Sequence, residues 1–121
     1  MATAAYVVLE DSSFDLALDG PNIDVDHTIA FSAPDVDANK EAVLSFDANP
    51  GEIDVSIEWK LNGTNFLNQT FSTGDARAWQ RVVPKNLLKS TDNKLTARLT
   101  DSDGKGSINF GDIVLLYAQK A

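Results

Sequence analysis

The sequence IDVSIEWKLNG, residues 53–63, decides the fold. Apolar side chains alternate with polar ones as far as Leu61, and the segment ends in Asn62-Gly63. Alternation with a period of two is typical of a strand that buries one face. Asn-Gly is a strong signal for a hairpin, because both residues accept the positive φ angles that a type I′ turn requires. We therefore expect a strand, a tight turn and a returning strand over residues 64–72.

The same alternation recurs along most of the chain. It is clear in residues 14–18, 23–32, 42–48 and 94–100, and no segment has the apolar spacing of a helix of ordinary length. Eight or nine short strands without helical crossovers predict an all-β fold, an antiparallel β-sandwich or barrel. A chain of 121 residues is expected to form a single domain, residues 1–121.

Two segments depart from simple alternation. Residues 74–91 show none, and we expect them to be the longest irregular connection. Residues 113–117, IVLLY, are continuously apolar, which predicts a strand covered on both faces. Gly111-Asp112, just before them, is the expected place of a β-bulge.

The composition excludes several classes of partner. Fourteen Asp and four Glu against ten basic residues give a net charge of −8, so we expect neither nucleic acid nor anionic membranes to bind. Cysteine is absent, which removes disulfides and thiolate sites. The first residues lack the features of a signal peptide, so the chain is expected to be either cytosolic or the mature form of a secreted protein.

Four segments resemble the galactose-binding-domain-like jelly rolls, a family that includes many carbohydrate-binding modules, over residues 53–117. IEWKLNG resembles the family's strand and Asn-Gly turn, and WQRVVPKNLL resembles its tryptophan followed by a V-x-P-x-x-L-L crossing. TDNKLTARL and INFGDIVLLY resemble the start of one strand and the closing strand. The family's usual Gly before Asn93 is replaced by Asp92. The resemblance implies a jelly-roll sandwich and, for this chain, a lectin-like carbohydrate ligand.

The candidate ligand-binding residues lie within the irregular segment. An indole face can stack on a sugar ring while neighbouring polar groups bind its hydroxyls. The alternative is that Trp79 closes one end of the core with arginines packed over it. The predicted ligand-binding set is Asp75, Arg77, Trp79, Gln80 and Arg81.

A second candidate surface is the outward side of the strand that contains Trp59. Trp59 itself is in phase with the apolar positions and is expected in the core. The polar residues between them form a row that an extended ligand would meet, or only a solvated strand face. They are Asp54, Ser56, Glu58 and Lys60.

Alternating oxygen-bearing side chains suggest one metal site. The resembled family often holds a structural calcium in a loop near one end of the sandwich, so we predict a calcium set of Asp35, Asp37, Asn39 and Glu41. No other cofactor is expected. The DSDG sequence of residues 101–104 has some of the spacing of a calcium loop, but we interpret it as a turn because Lys105 follows it.

Catalysis is not expected. His27 is the only histidine and lies on the apolar side of its strand, with no nucleophile at a suggestive spacing. The main hypothesis is a non-enzymatic carbohydrate-binding module, with its ligand near Trp79 or on the outer sheet face. The alternative is a structural or assembly protein of a larger homo-oligomer, which self-associates through the apolar strands at residues 6–9 and 113–117.

Overall fold

The computed structural model describes residues 3–17, 25–51, 53–102 and 106–120. Eight strands lie within these ranges, and a single 3₁₀ turn, Thr73–Asp75, precedes the sixth. The strands are β1 Thr3–Ala17, β2 Asp26–Phe31, β3 Ala42–Pro50, β4 Val55–Leu61, β5 Thr64–Phe71, β6 Arg77–Val83, β7 Asn93–Ser102 and β8 Ser107–Gln119.

The strands form two antiparallel sheets of four. Sheet A has the order β1-β8-β3-β6, and sheet B has the order β2-β7-β4-β5. The chain changes sheet at every connection except the β4–β5 hairpin, which is the crossing pattern of a jelly roll. The predicted all-β sandwich is confirmed within the described residues. They contain eight strands, where the sequence predicted eight or nine.

An aromatic cluster joins the two sheets. Phe46 and Phe110 extend inward from sheet A, and Trp59 and Phe71 extend inward from sheet B. The Phe110 ring centroid lies 5.0 Å from that of Trp59, 5.6 Å from that of Phe46 and 5.7 Å from that of Phe71, all in edge-to-face contacts. Edge-to-face geometry directs the positive edge of one ring at the negative face of another. Trp59 is fully buried, as predicted.

The β4–β5 turn follows the prediction closely. Asn62 has a φ of 53° and Gly63 a φ of 86°, as the type I′ turn requires. The Asn62 side chain also accepts a hydrogen bond from the Lys94 N–H and donates one to Asn93 Oδ1 at 3.0 Å. Asn93 is the one buried polar side chain among the described residues. Its amide additionally bonds both the N–H and the carbonyl of Lys89, so it ties the β6–β7 connection to the hairpin.

The predicted irregular segment at residues 74–91 requires a correction. Residues 77–83 form strand β6, which pairs with β3 and is one edge of sheet A. The alternation was hidden because one of its inward positions is Arg81, whose side chain is only half-buried at the open edge. An edge strand tolerates such residues because a long basic side chain can leave its head in water. Within residues 74–91, only the segments on either side of β6 are irregular.

The prediction for residues 113–117 also requires a correction. Ile113, Leu115 and Tyr117 are buried between the sheets, but Leu116 on the other side of β8 is 45% exposed. No layer of the described chain covers the outside of sheet A. The bulge expected at Gly111-Asp112 is confirmed, since the β3–β8 register shifts there and Asp112 has a φ of 49°.

The aromatic cluster generates a stability prediction. Phe110→Ala removes a fully buried ring that contacts four other aromatic rings, and it should lower the free energy of unfolding by about 3–5 kcal/mol. Urea denaturation of dilute protein measures it. Tyr6→Ala is the matched control, because Tyr6 is 71% exposed, and it should change that free energy by less than about 0.5 kcal/mol. Equal losses in the two variants would contradict the central role of the cluster.

Candidate functional site

The predicted site around Trp79 lies along edge strand β6. Side chains two residues apart on a strand share a face, so Arg77 and Arg81 flank the indole. Their guanidinium carbons lie 4.1 Å and 4.8 Å from the Trp79 ring centroid. Cation–π attraction of this kind is worth about 0.5–1 kcal/mol at an exposed site. The ring is therefore already engaged by two cations.

The rest of the Trp79 ring is held by the protein. Its edge packs on the Phe71 ring at 5.7 Å and 89°, and its N–H donates to the Asp75 carbonyl at 3.1 Å. The Asp75 carboxylate accepts the Ser72 N–H at 2.8 Å and so closes the 3₁₀ turn. Because of these contacts, the Trp79 side chain is half-buried. These contacts fit the alternative interpretation of Trp79, in which its side chain closes one end of the core.

The structure brings together only part of the predicted ligand-binding set. Arg77, Trp79 and Arg81 share one side of β6, whereas Gln80 extends from the other side, opposite Ser45. Arg81 Nε donates to Gln69 Oε1 at 2.9 Å and thereby links the edge of sheet A to the edge of sheet B. The sequence did not predict that Gln69 contacts Arg81, because the two residues lie in different sheets. Whether these residues bind a ligand stays a prediction.

The second candidate surface is the outer face of sheet B. Strand pairing places Glu58 beside Asn68 on one side and Arg98 on the other, with Asp26 beyond Arg98. The row crosses all four strands and alternates in charge, which is the favourable arrangement for cross-strand neighbours.

A second row runs parallel to the first. Lys60 lies beside Thr96, and Thr96 lies beside Thr28, whose hydroxyl is 3.0 Å from that of Thr96. Glu58 and Lys60 are also ion-paired, with 3.1 Å between the carboxylate and the ammonium. The predicted row on β4 is thus the middle of a wider polar surface.

Two adjoining depressions mark this polar surface. One of about 400 Å³ is lined by Val25, Glu58, Lys60, Arg98, Leu99 and Thr100. The other, of about 600 Å³, is lined by Thr28, Lys60, Asn62, Gly63, Lys89, Asp92, Lys94 and Thr96. Lys60 lines both, so the two depressions adjoin each other across β4 and β7, and we call them together the trough. Most of the lining residues carry a hydroxyl, amide or charged group, although polar and apolar atoms line it about equally, and no aromatic ring is among the described residues that form it.

The trough offers both donors and acceptors of hydrogen bonds. Its described lining contains hydroxyl groups and an amide that can both donate and accept, together with cations that only donate. A ligand dense in hydroxyl groups would satisfy such a surface. Sequence alternation identified the β4 residues, but Arg98 and Thr96 enter only because β7 pairs with β4, some forty residues away in sequence.

The predicted calcium residues do not converge on one point. Asp35 has a φ of 59°, and its carbonyl accepts the Lys120 N–H. The Asp37 carboxylate accepts the Asn39 N–H at 3.1 Å, which is the hydrogen bond of an Asx turn. Among the described residues, no group of three His, Cys, Asp or Glu side chains is arranged to hold a metal ion. Calcium binding by Asp35, Asp37, Asn39 and Glu41 stays a prediction. Of the DSDG segment, Asp103 and Gly104 lie outside the described residues.

His27 has a packing role in the structure. Its ring stacks on Phe14, with 4.0 Å between centroids, and its Nε2 lies 3.8 Å from Glu10 Oε2. Ser12 donates its hydroxyl to Glu10 at 2.7 Å, which lowers the pKa of that carboxyl, and His27 acts in the same direction. The cluster links β1 of sheet A to β2 of sheet B.

Comparison with known proteins identifies the fold. No protein-family model matches the chain, and no curated protein matches it in sequence. The structure is similar to dimeric latent PorU from Porphyromonas gingivalis, with a TM-score of 0.63 and 16% identity over 98% of this chain. The chain spans only 13% of that PorU chain.

Two carbohydrate-binding modules are matched over nearly their whole length. One is the CBM36-1 domain of a multidomain xylanase from the hindgut metagenome of Trinervitermes trinervoides, with a TM-score of 0.55, 11% identity, and coverage of 98% of this chain and 100% of that one. The other is a CBM36 solved with calcium and xylotriose, with a TM-score of 0.51, 12% identity, and coverage of 95% and 99%. At these identities the likeness shows the fold alone. The jelly-roll fold that the sequence resemblance implied is confirmed. Among the described residues, no helix is long and apolar enough to cross a membrane.

One electrostatic feature outside the trough makes stability depend on pH. The Asp47 carboxyl shares a hydrogen bond with the Asp112 carboxyl, which raises the pKa of Asp47 above its ordinary value of 3.8, and desolvation and the charge of Asp112 add to the effect. The folded chain therefore holds a proton that the unfolded chain releases. Stability is lost as pH rises from 3.8 through the raised pKa, because the two carboxylates then repel.

Asp47→Asn should consequently stabilise the protein at neutral pH, by less than about 1 kcal/mol because the pair is exposed. The gain in denaturation midpoint should shrink as the pH falls below the raised pKa of Asp47, because its protonated carboxyl no longer repels Asp112. Asp112→Asn should give a similar gain, and the double variant no more than either single one. A lower midpoint for Asp47→Asn at neutral pH would contradict the repulsion.

Proposed function

We propose that this protein is a non-catalytic carbohydrate-binding module that takes a saccharide in the trough on the outer face of sheet B. The observation that carries the proposal is the polar trough itself, on a fold shared with two carbohydrate-binding modules over almost their full length. One of those modules was solved with xylotriose, an oligosaccharide. An extended saccharide could occupy both adjoining depressions, whereas a compact ligand would fill only one.

The lining groups suit hydroxyl-rich ligands. The Arg98 guanidinium and the Glu58 carboxylate are neighbours across two strands and would give a saccharide adjacent donors and acceptors. Charge-assisted hydrogen bonds are the strong ones, about twice as strong as neutral ones. The hydroxyls of Thr28 and Thr96 continue the same surface toward the edge of the sheet.

The trough is a better site than the Trp79 edge for a physical reason. A sugar that stacked on Trp79 would first have to displace Arg77 or Arg81 from the ring, at a cost of about 0.5–1 kcal/mol for each. It would also break the link from Arg81 to Gln69 if Arg81 moved. Binding to the trough leaves both arginines on the ring and competes instead with the exposed Glu58–Lys60 ion pair and the Thr28–Thr96 hydroxyl contact.

Hydrolysis of the saccharide is not part of the proposal. Glycoside hydrolysis generally needs two carboxyl groups fixed on either side of the scissile bond. The trough has two carboxylates in its described lining, but Glu58 lines one depression and Asp92 the other. Glu58 is also ion-paired with Lys60. Binding without catalysis is the function that this lining supports.

A matched pair of variants tests the location of the site. Calorimetric titration with the tightest binder from a panel of soluble oligosaccharides should show Arg98→Gln weakening affinity at least about tenfold, because a charge-assisted hydrogen bond is lost. Arg77→Gln makes the same chemical change beside Trp79 and should alter affinity less than about twofold. Trp79→Ala is a poorer probe, since it also removes core packing against Phe71.

Three results would count against the proposal. Absence of binding across a broad saccharide panel would reject the function. A larger loss for Arg77→Gln than for Arg98→Gln would move the site to β6. Release of reducing sugar during prolonged incubation would reject the non-catalytic assignment.

A further inference from the structure

Basic side chains are concentrated around the larger of the two depressions of the trough, the one of about 600 Å³. Its described lining contains three lysines, Lys60, Lys89 and Lys94, and one carboxylate, that of Asp92. The whole chain has eighteen acidic residues against ten basic ones, a net charge of −8. A surface whose charge is opposite to that of the rest of the molecule attracts anionic groups locally. The larger depression is therefore suited to a negatively charged ligand.

The smaller depression differs because its charges are matched. Arg98 lies between Glu58 on β4 and Asp26 on β2, and Glu58 is ion-paired with Lys60. Neighbouring charges of opposite sign on a sheet stabilise each other and leave little net attraction for an anion. The surplus of positive charge is consequently confined to the larger depression.

Lys89 and Lys94 carry this surplus, because no carboxylate neutralises them. The described part of the chain contains two ion pairs, and neither involves these lysines. Both side chains are exposed to solvent. Asp92 lines the same depression without pairing with either of them. The two ammonium groups are thus available to a ligand.

A network of buried hydrogen bonds holds the backbones of the two lysines. Asn93 is fully buried, and its amide accepts the Lys89 N–H at 2.9 Å and donates to the Lys89 carbonyl at 2.6 Å. The Asn62 side chain accepts the Lys94 N–H at 2.8 Å, and the Asn62 N–H donates to the Lys94 carbonyl at 2.9 Å. The two asparagine side chains are themselves joined at 3.0 Å. Fixed backbones lower the cost of ordering the lysines around a ligand.

The remaining lining restricts the kind of anion that fits. The hydroxyls of Thr28 and Thr96 lie beside the lysines and can exchange hydrogen bonds with the hydroxyls of a sugar. Single-stranded nucleic acid is generally bound by aromatic side chains that stack on its bases. No aromatic ring is among the described residues that line the trough. A ligand that combines hydroxyl groups with negative charge uses more of this lining than a nucleic acid does.

We propose that the saccharide of the trough is acidic, and that Lys89 and Lys94 bind its anionic substituent, a carboxylate or a sulfate group, in the larger depression. This inference rests on the proposed function and specifies the class of saccharide. An ammonium group is a compact charge with three N–H donors, which suits either anion. The neutral part of the saccharide would lie against Glu58 and Arg98 in the smaller depression.

The net charge of −8 is compatible with an acidic ligand. At physiological ionic strength, charges are screened over about 8 Å. An anion in contact with Lys89 and Lys94 is therefore attracted mainly by these neighbours, and carboxylates on other surfaces repel it only weakly.

Matched pairs of oligosaccharides test the class of ligand. Calorimetric titration would compare oligogalacturonate with its methyl ester, alginate oligosaccharides with their methyl esters, and sulfated carrageenan oligosaccharides with their desulfated forms. At least one acidic member should bind, and at least about fivefold more tightly than its neutral counterpart, because two exposed charge contacts are lost in the latter. A preference seen only in the esterified pairs identifies the carboxylate, and one seen only in the carrageenan pair identifies the sulfate.

Single substitutions test the role of the two lysines. Lys89→Gln and Lys94→Gln should each weaken binding of the acidic oligosaccharide by about two- to fivefold and change binding of a neutral one by less than about twofold. Lys85→Gln is the matched control, because it removes the same charge from the same β6–β7 connection but Lys85 lines neither depression. It should leave both affinities unchanged. Circular dichroism checks that each variant is folded.

Asp92→Asn provides a test of opposite sign. Removal of the one carboxylate in the larger depression should tighten binding of the acidic oligosaccharide by about twofold or more, since it no longer repels the anion. Binding of the neutral counterpart should not change. Asp92 has a φ of 59°, a conformation that Asn also accepts, so the turn is retained.

The possible failures are distinguishable. Equal affinity for acidic and neutral members of every pair would overturn this inference and leave the proposed function intact. The same holds if Lys85→Gln weakens binding as much as Lys89→Gln and Lys94→Gln do. Absence of binding by every saccharide would reject the proposed function and the inference together. A single-stranded oligonucleotide that bound as tightly as the acidic oligosaccharide would overturn the assignment of the lysines to a saccharide.

Discussion

Contact between aromatic rings of the two sheets is the interaction on which the rest of the structure depends. Phe46 and Phe110 contact Trp59, which is fully buried, and Phe71 packs on both of those phenylalanine rings. Burial of an aromatic side chain of 150–250 Å² contributes about 4–6 kcal/mol. The Trp59 N–H is the one buried side-chain polar group without a hydrogen-bond partner among the described residues, at a cost of about 1–3 kcal/mol. Apolar burial outweighs that cost, so the tryptophan stays between the sheets.

The inward orientation of the Trp59 side chain determines which side chains of sheet B face the solvent. Because side chains alternate along a strand, an inward Trp59 requires Glu58 and Lys60 to extend outward. Antiparallel pairing with β7 then places Arg98 and Thr96 beside them. The trough is thus a consequence of core packing on the other side of the same strand. Residues that would bind ligand and residues that hold the fold are separated by one position in sequence.

The two outer surfaces of the sandwich have opposite chemistry. The outer face of sheet B is a lattice of hydroxyls, amides and alternating charges, whereas that of sheet A has an uncharged centre with Tyr6 and Leu116 exposed. Both surfaces are built on strands rather than on loops, so their side chains are held at the fixed spacings of a sheet. A polar lattice of this kind suits a hydrated ligand.

By itself the sequence determined which residues face the core. Its period of two predicted β4, β5, the inward Trp59 and the all-β class, and Asn62-Gly63 predicted the hairpin, because these signals act between neighbours in the chain. Sequence missed β6, since Arg81 interrupts the apolar alternation at a sheet edge. The sequence also predicted wrongly that residues 113–117 are covered on both faces, since an apolar run does not reveal whether a second layer packs on the sheet. Only the tertiary structure placed Arg98 beside Glu58 and two arginines over the Trp79 ring. It also aligned four apolar residues from four strands of sheet A in one row. Each of these depends on pairing between strands far apart in sequence, and nothing in the local pattern of residues specifies that order.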